Sequence, residues 1–266
     1  MSPDHADIED WLDLKKNTGD ENARARDLFY GLWVPDLFMK RISENKEWSL
    51  FCPNSAPNLN TCYGDAYEEL YTQYEKEQRA IKTISARELW IKILDAQMET
   101  GTPYLCYKDA ANRKSNQKNI GIIKSSNLCT EIMEVSTKEE TAVCNLASIA
   151  LPSCIDHTKS PSEYDFEKLH QVSRIVTYNL NKIIDVNFYP TSKTNISNEK
   201  NRPIGIGVQG LADAFALMDI PFHSQKAKEI NKKIKFYQDE NVRLSSKLLS
   251  TQRKSETIRI LSLIHI

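Results

Sequence analysis

The spacing of apolar and polar residues predicts that helices and strands alternate along this chain. The clearest helix begins after Ser85, because Ser85 and Glu88 match a capping box and Gly101 follows the periodic run. A longer amphipathic run follows Asp165, which is placed to cap it. The same spacing predicts further helices over residues 8–15, 21–32, 66–74 and 207–218, and a last one after Ser224.

Short apolar runs predict strands at residues 48–52, 104–107, 120–123 and 142–150. Residues 108–118 are rich in Asn, Lys and Arg and predict a polar loop. Strands that alternate with helices favour an α/β fold with a largely parallel, buried sheet. We expect residues 1–250 to form one portion of such a fold. Residues 251–266 end in an apolar, β-prone run without a turn signal, and we expect them to be an atypical tail rather than native domain sequence.

Composition narrows the possible classes of function. The 35 Lys and Arg residues balance 36 Asp and Glu residues, so the chain has no strong electrostatic field that would favour binding to nucleic acid or to a membrane surface. No apolar run approaches the roughly 18 residues that a membrane span requires. The six cysteines include no Cys-x-x-Cys pair, so we expect no metal ligands in this chain. The cysteine usage indicates a reducing compartment, the cytoplasm.

The strongest candidate for chemistry is the run Ser126-Asn127-Leu128-Cys129-Thr130-Glu131. In an extended backbone alternate side chains share a face, so Asn127, Cys129 and Glu131 would point the same way. That face would combine an amide, a thiol and a carboxylate, which suit chemistry on a polyol. A second cysteine, Cys144, follows 15 residues after Cys129 in an apolar run.

Each of these residues also has a purely structural interpretation. Cys129 and Cys144 could be inert thiols, Glu131 a surface charge and Asn127 a turn residue. The functional interpretation makes Glu131 a general base, Asn127 a substrate-orienting amide and Cys144 an electron donor that ends in a disulfide. A cysteine hydrolase would need a histidine partner for Cys129, and none of the 5 histidines lies in a motif-like setting.

Two other motifs carry weaker alternatives. The run from Gly205 to Gly210 fits the Gly-x-Gly-x-x-Gly dinucleotide fingerprint, but the polar residues before it end in Pro203 and do not predict the strand that this fingerprint needs. Glycines before a helix also allow close backbone packing. The basic run from Asn112 to Asn116 could contact phosphate or lie in solvent.

Several runs together resemble the large subunit of class I ribonucleotide reductase, close to the eukaryotic form. Ser126 to Ile132 and Ala142 to Ser148 resemble the active-site segments of that family. The resemblance covers about residues 4–234. It is carried in order by further runs, His5 to Ile8, Leu12 to Asn17, Arg24 to Phe29, Pro35 to Met39, Thr100 to Tyr104, Asn112 to Gln117 and Arg202 to Phe215.

The resemblance implies a radical mechanism. Cys129 would become a thiyl radical and take the 3′ hydrogen of a ribonucleotide, and Glu131 would take the 3′-hydroxyl proton. Asn127 would hydrogen-bond the ribose, and Ser126 and Leu128 would also bind the substrate. Cys144 would be one of two thiols that reduce the 2′ carbon and form a disulfide, with its partner outside this chain.

The family fold is a ten-stranded α/β barrel with the active-site loop buried at its centre, so the resemblance implies a partial barrel here. It also implies a ribonucleoside diphosphate substrate, a metal-containing small subunit that supplies the radical, a homodimer of large subunits, and thioredoxin or glutaredoxin as reductant. No cofactor would bind this chain directly, and ATP and deoxynucleotide effectors would bind regions outside it.

We expect the 266-residue chain to be a fragment that does not turn over alone. Two alternatives stay open at this point. One is an inactive remnant that associates with intact subunits, and the other is a different thiyl-radical enzyme built on the same type of barrel.

Overall fold

The computed structural model describes residues 1–237 and divides the chain into two compact units, Met1–Ser136 and Thr137–Ile266. Each unit has its own apolar core. The predicted tail, residues 251–266, lies outside the described residues. The expectation that residues 1–250 form one portion of an α/β fold stays a prediction. Within the described part of the chain, no helix is both long and apolar enough to cross a bilayer.

The first unit alternates helices with short strands. Its helices are α1 (Ile8–Asp13), α2 (Asp36–Ser43), α3 (Asp65–Lys76), α4 (Ala86–Thr100) and α5 (Lys108–Lys114). Its strands are β1 (Gly31–Val34), β2 (Glu47–Leu50), β3 (Lys82–Ser85) and β4 (Tyr104–Tyr107). Strands β1 and β4 pair in parallel, and β2 and β3 pair antiparallel.

Helix α4 shows how the apolar pattern builds the first core. The Ser85 hydroxyl caps it by accepting from the Glu88 N–H at 3.4 Å, and Gly101 ends it with φ +73°, as the sequence predicts. The apolar face of α4, which includes the fully buried Leu89 and Ile93, packs on α1 and α2. This core includes Leu32, Val34, Phe38, Trp48, Tyr67, Tyr71, Leu89 and Ile93.

A buried carboxylate ties α5 to two other helices of this unit. Asp109 is 1% exposed. It accepts from the backbone N–H of Asp36 at the start of α2, at 2.5 Å, and from that of Gly64 just before α3, at 2.6 Å. These N–H groups lack partners within their own helices, so one side chain caps both. The contacts fix α5, and with it the chain that follows.

Three sequence predictions for this unit are wrong. Residues 21–32 do not form one helix, because Glu21–Ala23 is a single 3-10 turn and β1 begins at Gly31. Residues 108–118 are not a solvated loop, because their first part forms α5. Residues 120–123 are irregular rather than a strand. In each case tertiary contacts outweigh local propensity.

The second unit carries strands β5 (Leu146–Ala150), β6 (Ile155–Asp156), β7 (Glu163–Tyr164) and β8 (Gly205–Gln209). Its helices include α6 (Phe166–Val186), α7 (Ser192–Asn201) and α8 (Leu211–Leu217), and residues 225–237 are also helical. Strands β5 and β8 pair in parallel, and β6 and β7 pair antiparallel. Strand β5 begins at Leu146, later than the predicted start at residue 142.

The helix starts of this unit agree with the sequence. The Asp165 carboxylate accepts from the Lys168 N–H at 2.9 Å and begins α6, and the Ser224 hydroxyl accepts from the Ala227 N–H at 3.1 Å. Helix α6 packs on strand β5 and on the 3-10 turn Leu151–Cys154, and α8 packs on the same turn. The core of this unit contains Ile149, Leu169, Leu180, Ile184, Ile206 and Phe215.

The glycine-rich run is a strand followed by a tight turn. Gly205–Gln209 forms β8, so the helix predicted over residues 207–218 begins only at Leu211. Gly210 has φ +75°, and a Cβ there would lie 2.7 Å from Pro152 Cδ, so this turn needs glycine. The run is itself the strand instead of following one, so the dinucleotide interpretation has no support.

The fold is α/β, as predicted, and each unit contributes one parallel strand pair. Two antiparallel pairs make the sheets less parallel than the sequence predicts. Across residues 1–237 the strands form no closed barrel. The ten strands that the resemblance implies therefore stay a prediction.

Candidate active site

The predicted catalytic run lies on an irregular loop of the first unit and forms a turn. It is not extended, because the Thr130 N–H donates to the Asn127 carbonyl at 3.2 Å and Thr130 has φ +64°. The prediction that Asn127, Cys129 and Glu131 share one face of an extended segment is therefore wrong. The three residues instead lie on one closed turn.

Two polar side chains close this turn. Asn127 Oδ1 accepts from the Ile132 N–H at 3.1 Å, and Ser126 Oγ donates to the Ile132 carbonyl at 2.7 Å. Both hydrogen bonds join the start of the turn to its end. Asn and Ser favour such local side-chain to backbone bonds over regular structure, which explains why no strand forms here.

The turn presents different chemical groups in different environments. Cys129 is exposed, and Leu128 is 52% exposed. Glu131 is half-buried, and its Oε2 atom is buried with no hydrogen-bond partner among the described residues. Such an oxygen still has the capacity to accept a hydrogen bond. The resemblance implies a buried Cys129, which is not the arrangement in this structure, where residues 1–237 close no barrel around it.

A cleft of about 400 Å³ adjoins the turn within the first unit. Its walls come from β1, β4 and the segment before β1, and from the loop itself. Residues that line it include Phe29, Trp33, Tyr104, Cys106, Asn127 and Thr130. Trp33 Nε1 is buried and has no hydrogen-bond acceptor within the described chain. Of the predicted substrate residues, Ser126, Asn127 and Leu128 line this cleft, and Glu131 does not.

No histidine lines this cleft among the described residues. The cysteine hydrolase alternative therefore gains no support. Residues 1–237 also contain no group of three or more His, Cys, Asp or Glu side chains that could hold a metal ion.

Burial changes the acid–base properties of two groups near the loop. Glu134 is 5% exposed, and desolvation raises its pKa from 4.5 to about 8. Burial also raises the pKa of the Cys106 thiol. Both shifts favour the neutral forms. The acid, Glu134, follows the turn closely in sequence, and the thiol, Cys106, lines the cleft that adjoins the turn.

Cys144 lies in the second unit, and it is exposed. The next residue, Asn145, is buried and binds Asn198 of α7 and the Pro203 carbonyl. Upstream, the buried Glu140 carboxylate pairs with Lys200 and accepts from Asn201 Nδ2 at 3.2 Å. Helix α7 therefore anchors the backbone on both sides of Cys144.

Sequence reasoning missed the residues that hold these segments. Asn112 and Gln117 are buried beside the base of the loop, although they lie in a run that predicts a polar loop. Asn198 is fully buried on a helix whose sequence is almost entirely polar. Polar residues in such runs carry no signal of burial, so only their tertiary contacts identify them.

The described residues define an α/β protein with an exposed thiol on an irregular loop, and a comparison with family models is more specific. The model described as "Ribonucleotide reductase, barrel domain" matches residues 1–256. The chain therefore belongs to the ribonucleotide reductase barrel family, as the sequence predicts.

Curated relatives carry the same family name. The "Ribonucleoside-diphosphate reductase large subunit" of Arabidopsis thaliana is 55% identical over 250 residues, covering 88% of this chain and 31% of the relative. That of Danio rerio is 56% identical, covering 88% and 29%. The "large chain 2" of Saccharomyces cerevisiae is 54% identical, covering 88% and 27%. The chain thus spans about 30% of the length of the relatives it matches.

Proposed function

We propose that this chain is a barrel segment of a ribonucleoside-diphosphate reductase large subunit and that the turn from Asn127 to Glu131 carries its chemistry. The turn itself supports the proposal. It exposes the Cys129 thiol two residues along the chain from Glu131, whose carboxylate has an unpartnered oxygen. Asn127, Leu128 and Thr130 of the same turn line the cleft, whereas Cys129 and Glu131 do not. Relatives with this name are 54–56% identical to the chain.

The proposed steps assign one task to each side chain of the turn. Cys129, as a thiyl radical, takes the hydrogen atom from the 3′ carbon of a ribonucleoside diphosphate. Glu131 takes the 3′-hydroxyl proton as a general base. Asn127 hydrogen-bonds the ribose and orients it, with Ser126 and Leu128 beside it.

Reduction then needs a pair of thiols. Cys144 and a second cysteine outside this chain give two electrons and two protons, the 2′ hydroxyl leaves as water, and the two sulfurs join as a disulfide. The 3′ hydrogen returns from Cys129, which regenerates the thiyl radical. A metal-containing small subunit supplies the radical, and thioredoxin or glutaredoxin reduces the disulfide. These partners, a dimer of large subunits and the cytoplasm as compartment are part of the proposal.

A segment exchange tests this function. Residues 4–234 would replace the matching segment of the Saccharomyces cerevisiae relative, and deoxyribonucleotide formation would be measured with that organism's small subunit and a dithiol. We expect turnover by the chimera. We expect Cys129→Ala, Glu131→Gln and Cys144→Ser each to abolish it, the last because reduction of the 2′ carbon needs both thiols of the pair.

The matched control is Cys62→Ser, which changes a half-buried thiol of the first unit outside the proposed site. It should leave turnover near that of the unmodified chimera. A folded chimera without activity beside an active parent would contradict the proposal and favour an inactive remnant. Activity that survives Cys129→Ala would contradict the role of this thiol.

A further inference from the structure

Two buried amide side chains lie at the base of the loop that carries Cys129. Asn112 is 2% exposed and Gln117 is 1% exposed. Both lie beside a small apolar cluster of the first unit, formed by Trp33, Cys106, Ile123 and Val135. An amide buried in such surroundings is destabilising unless its polar atoms are paired.

Asn112 binds the arm that leads into the loop. Its Oδ1 accepts from the Ile123 N–H at 2.8 Å, and its Nδ2 donates to the Ile123 carbonyl at 3.0 Å and to the Lys108 carbonyl at 2.9 Å. The side chain therefore satisfies both backbone groups of Ile123, as a neighbouring strand would. Because Asn112 lies on α5, this arm is fixed to the helix that Asp109 anchors.

Gln117 binds the arm that leaves the loop. Its Oε1 accepts from the Val135 N–H at 2.7 Å. The Gln117 carbonyl also accepts from the Ile120 N–H at 2.8 Å, which turns the chain back into the first arm. The two arms pass closely, since a Cβ on Gly121 would lie 3.1 Å from Val135 Cγ1.

We propose that Asn112 and Gln117 are positioning residues that clamp the two arms of the Cys129 loop and so determine where this thiol is presented. The loop contains no helix or strand between residues 121 and 136 that could do so. A neutral amide suits the position because it offers a donor and an acceptor together, whereas a carboxylate or an ammonium group would satisfy one kind of partner and bring a buried charge.

The inference rests on the proposed function only in taking Cys129 as the reacting thiol, and the contacts can be tested without turnover. In the unmodified 266-residue chain, amide hydrogen exchange resolved to single residues should be slow at Ile123 and Val135 and fast at Leu128 and Cys129. Fast exchange at Ile123 and Val135 would overturn the proposal before any variant is made.

The variant Gln117→Met keeps the side-chain length and removes the acceptor. We expect the rate of hydrogen exchange at Val135 to rise by roughly fivefold, because the Val135 N–H loses its acceptor. We also expect the rate of alkylation of Cys129, followed by peptide mass mapping, to change by roughly fivefold. Alkylation of Cys62 in the same molecules should not change. Gln117→Glu retains an acceptor oxygen, and we expect it to restore both rates toward the unmodified values even though a buried carboxylate lowers global stability.

The matched control is Gln97→Met, which removes another structural amide of the first unit, one that donates to the Pro103 carbonyl at 2.7 Å. It should lower the free energy of unfolding without changing exchange at Val135 or alkylation of Cys129. Equal loop effects in Gln97→Met and Gln117→Met would show that the loop only follows global stability, and would overturn the clamp. An inactive chimera with an intact clamp would contradict the proposed function alone.

Discussion

Asn145 and Asn198 form a reciprocal amide pair in the second unit. Asn145 Nδ2 donates to Asn198 Oδ1 at 3.3 Å, and Asn198 Nδ2 donates to Asn145 Oδ1 at 3.4 Å. Their remaining donors reach the Pro203 carbonyl and the Tyr189 hydroxyl, each at 2.9 Å. Because Asn145 directly follows Cys144, this pair fixes the backbone at the start of the strand beside that cysteine.

The first prediction concerns this pair. Asn198→Leu replaces the amide with an apolar side chain of similar size. The buried Asn145 amide then loses the hydrogen-bond partner that Asn198 supplies. We expect the free energy of unfolding to fall by about 1–3 kcal/mol, measured by urea denaturation. Asn179→Leu, at an exposed position of α6, should change it by less than about 0.5 kcal/mol. Equal effects of the two variants would contradict the importance of the pair.

The second prediction is a dependence of stability on pH. Burial raises the pKa of Glu134 to about 8, above its usual 4.5, so the folded state holds a proton that the unfolded state releases between these values. The free energy of unfolding should therefore fall as pH rises from about 5 to about 8, by up to about 1.4 kcal/mol per pH unit from this group.

Glu134→Gln isolates this contribution, because glutamine resembles the protonated acid. Urea denaturation at about pH 5.5 and pH 8.5 should show a smaller loss of stability for Glu134→Gln than for the unmodified chain. Glu69→Gln, at an exposed position on α3, should behave as the unmodified chain does. The same pH dependence in all three proteins would show that Glu134 does not titrate in this range.

The third prediction concerns Arg202, which ends α7 and is 1% exposed. Its guanidinium donates to Asn181 Oδ1 at 2.8 Å, to the Asn181 carbonyl at 2.7 Å and to the Asp185 carboxylate at 2.9 Å. Arg202→Met leaves these acceptors without their donor, so we expect a loss of roughly 3 kcal/mol in urea denaturation. The control Arg174→Met, on the exposed side of α6, should lose little. A small loss for Arg202→Met would indicate that water replaces the guanidinium.

The fourth prediction separates the cysteines by reactivity. Cys129 and Cys144 are exposed, whereas Cys106 is 5% exposed, Cys154 is fully buried, and burial raises the pKa of Cys106. We expect alkylation at about pH 8, followed by peptide mass mapping, to modify Cys129 and Cys144 at least about tenfold faster than Cys106 and Cys154. The difference should disappear in denaturant. Equal rates in the native chain would contradict the exposures in this structure.

Much of the fold could be predicted where a local signal has a local cause. The Ser85 and Asp165 caps and the Gly101 helix end all depend on residues close to the backbone they affect. The region from 108 to 123 could not, because its course depends on Asp109 binding the backbone of Asp36 and Gly64, far away in sequence, and on Asn112 binding the backbone of Ile123.

The candidate site shows the same division. Its residue types and their order, from Ser126 to Glu131 and at Cys144, are sufficient to place the chain in its family, which the matched family model confirms. The shape of the site was not predictable from alternation along a strand. Asn127 and Ser126 bond to Ile132 and close a turn, and residues outside the run bind the two arms that lead to it.

The sequence by itself determined the family, the α/β class and the capped helices, and it predicts the reactive groups, because these follow from residue types and short-range spacing. Only the tertiary structure decided that Asn112, Gln117 and Asn198 are buried, that Glu131 keeps an unpartnered oxygen and that Glu134 holds a proton near neutral pH. The physical reason is that burial and hydrogen bonding of a polar group depend on which distant segments surround it.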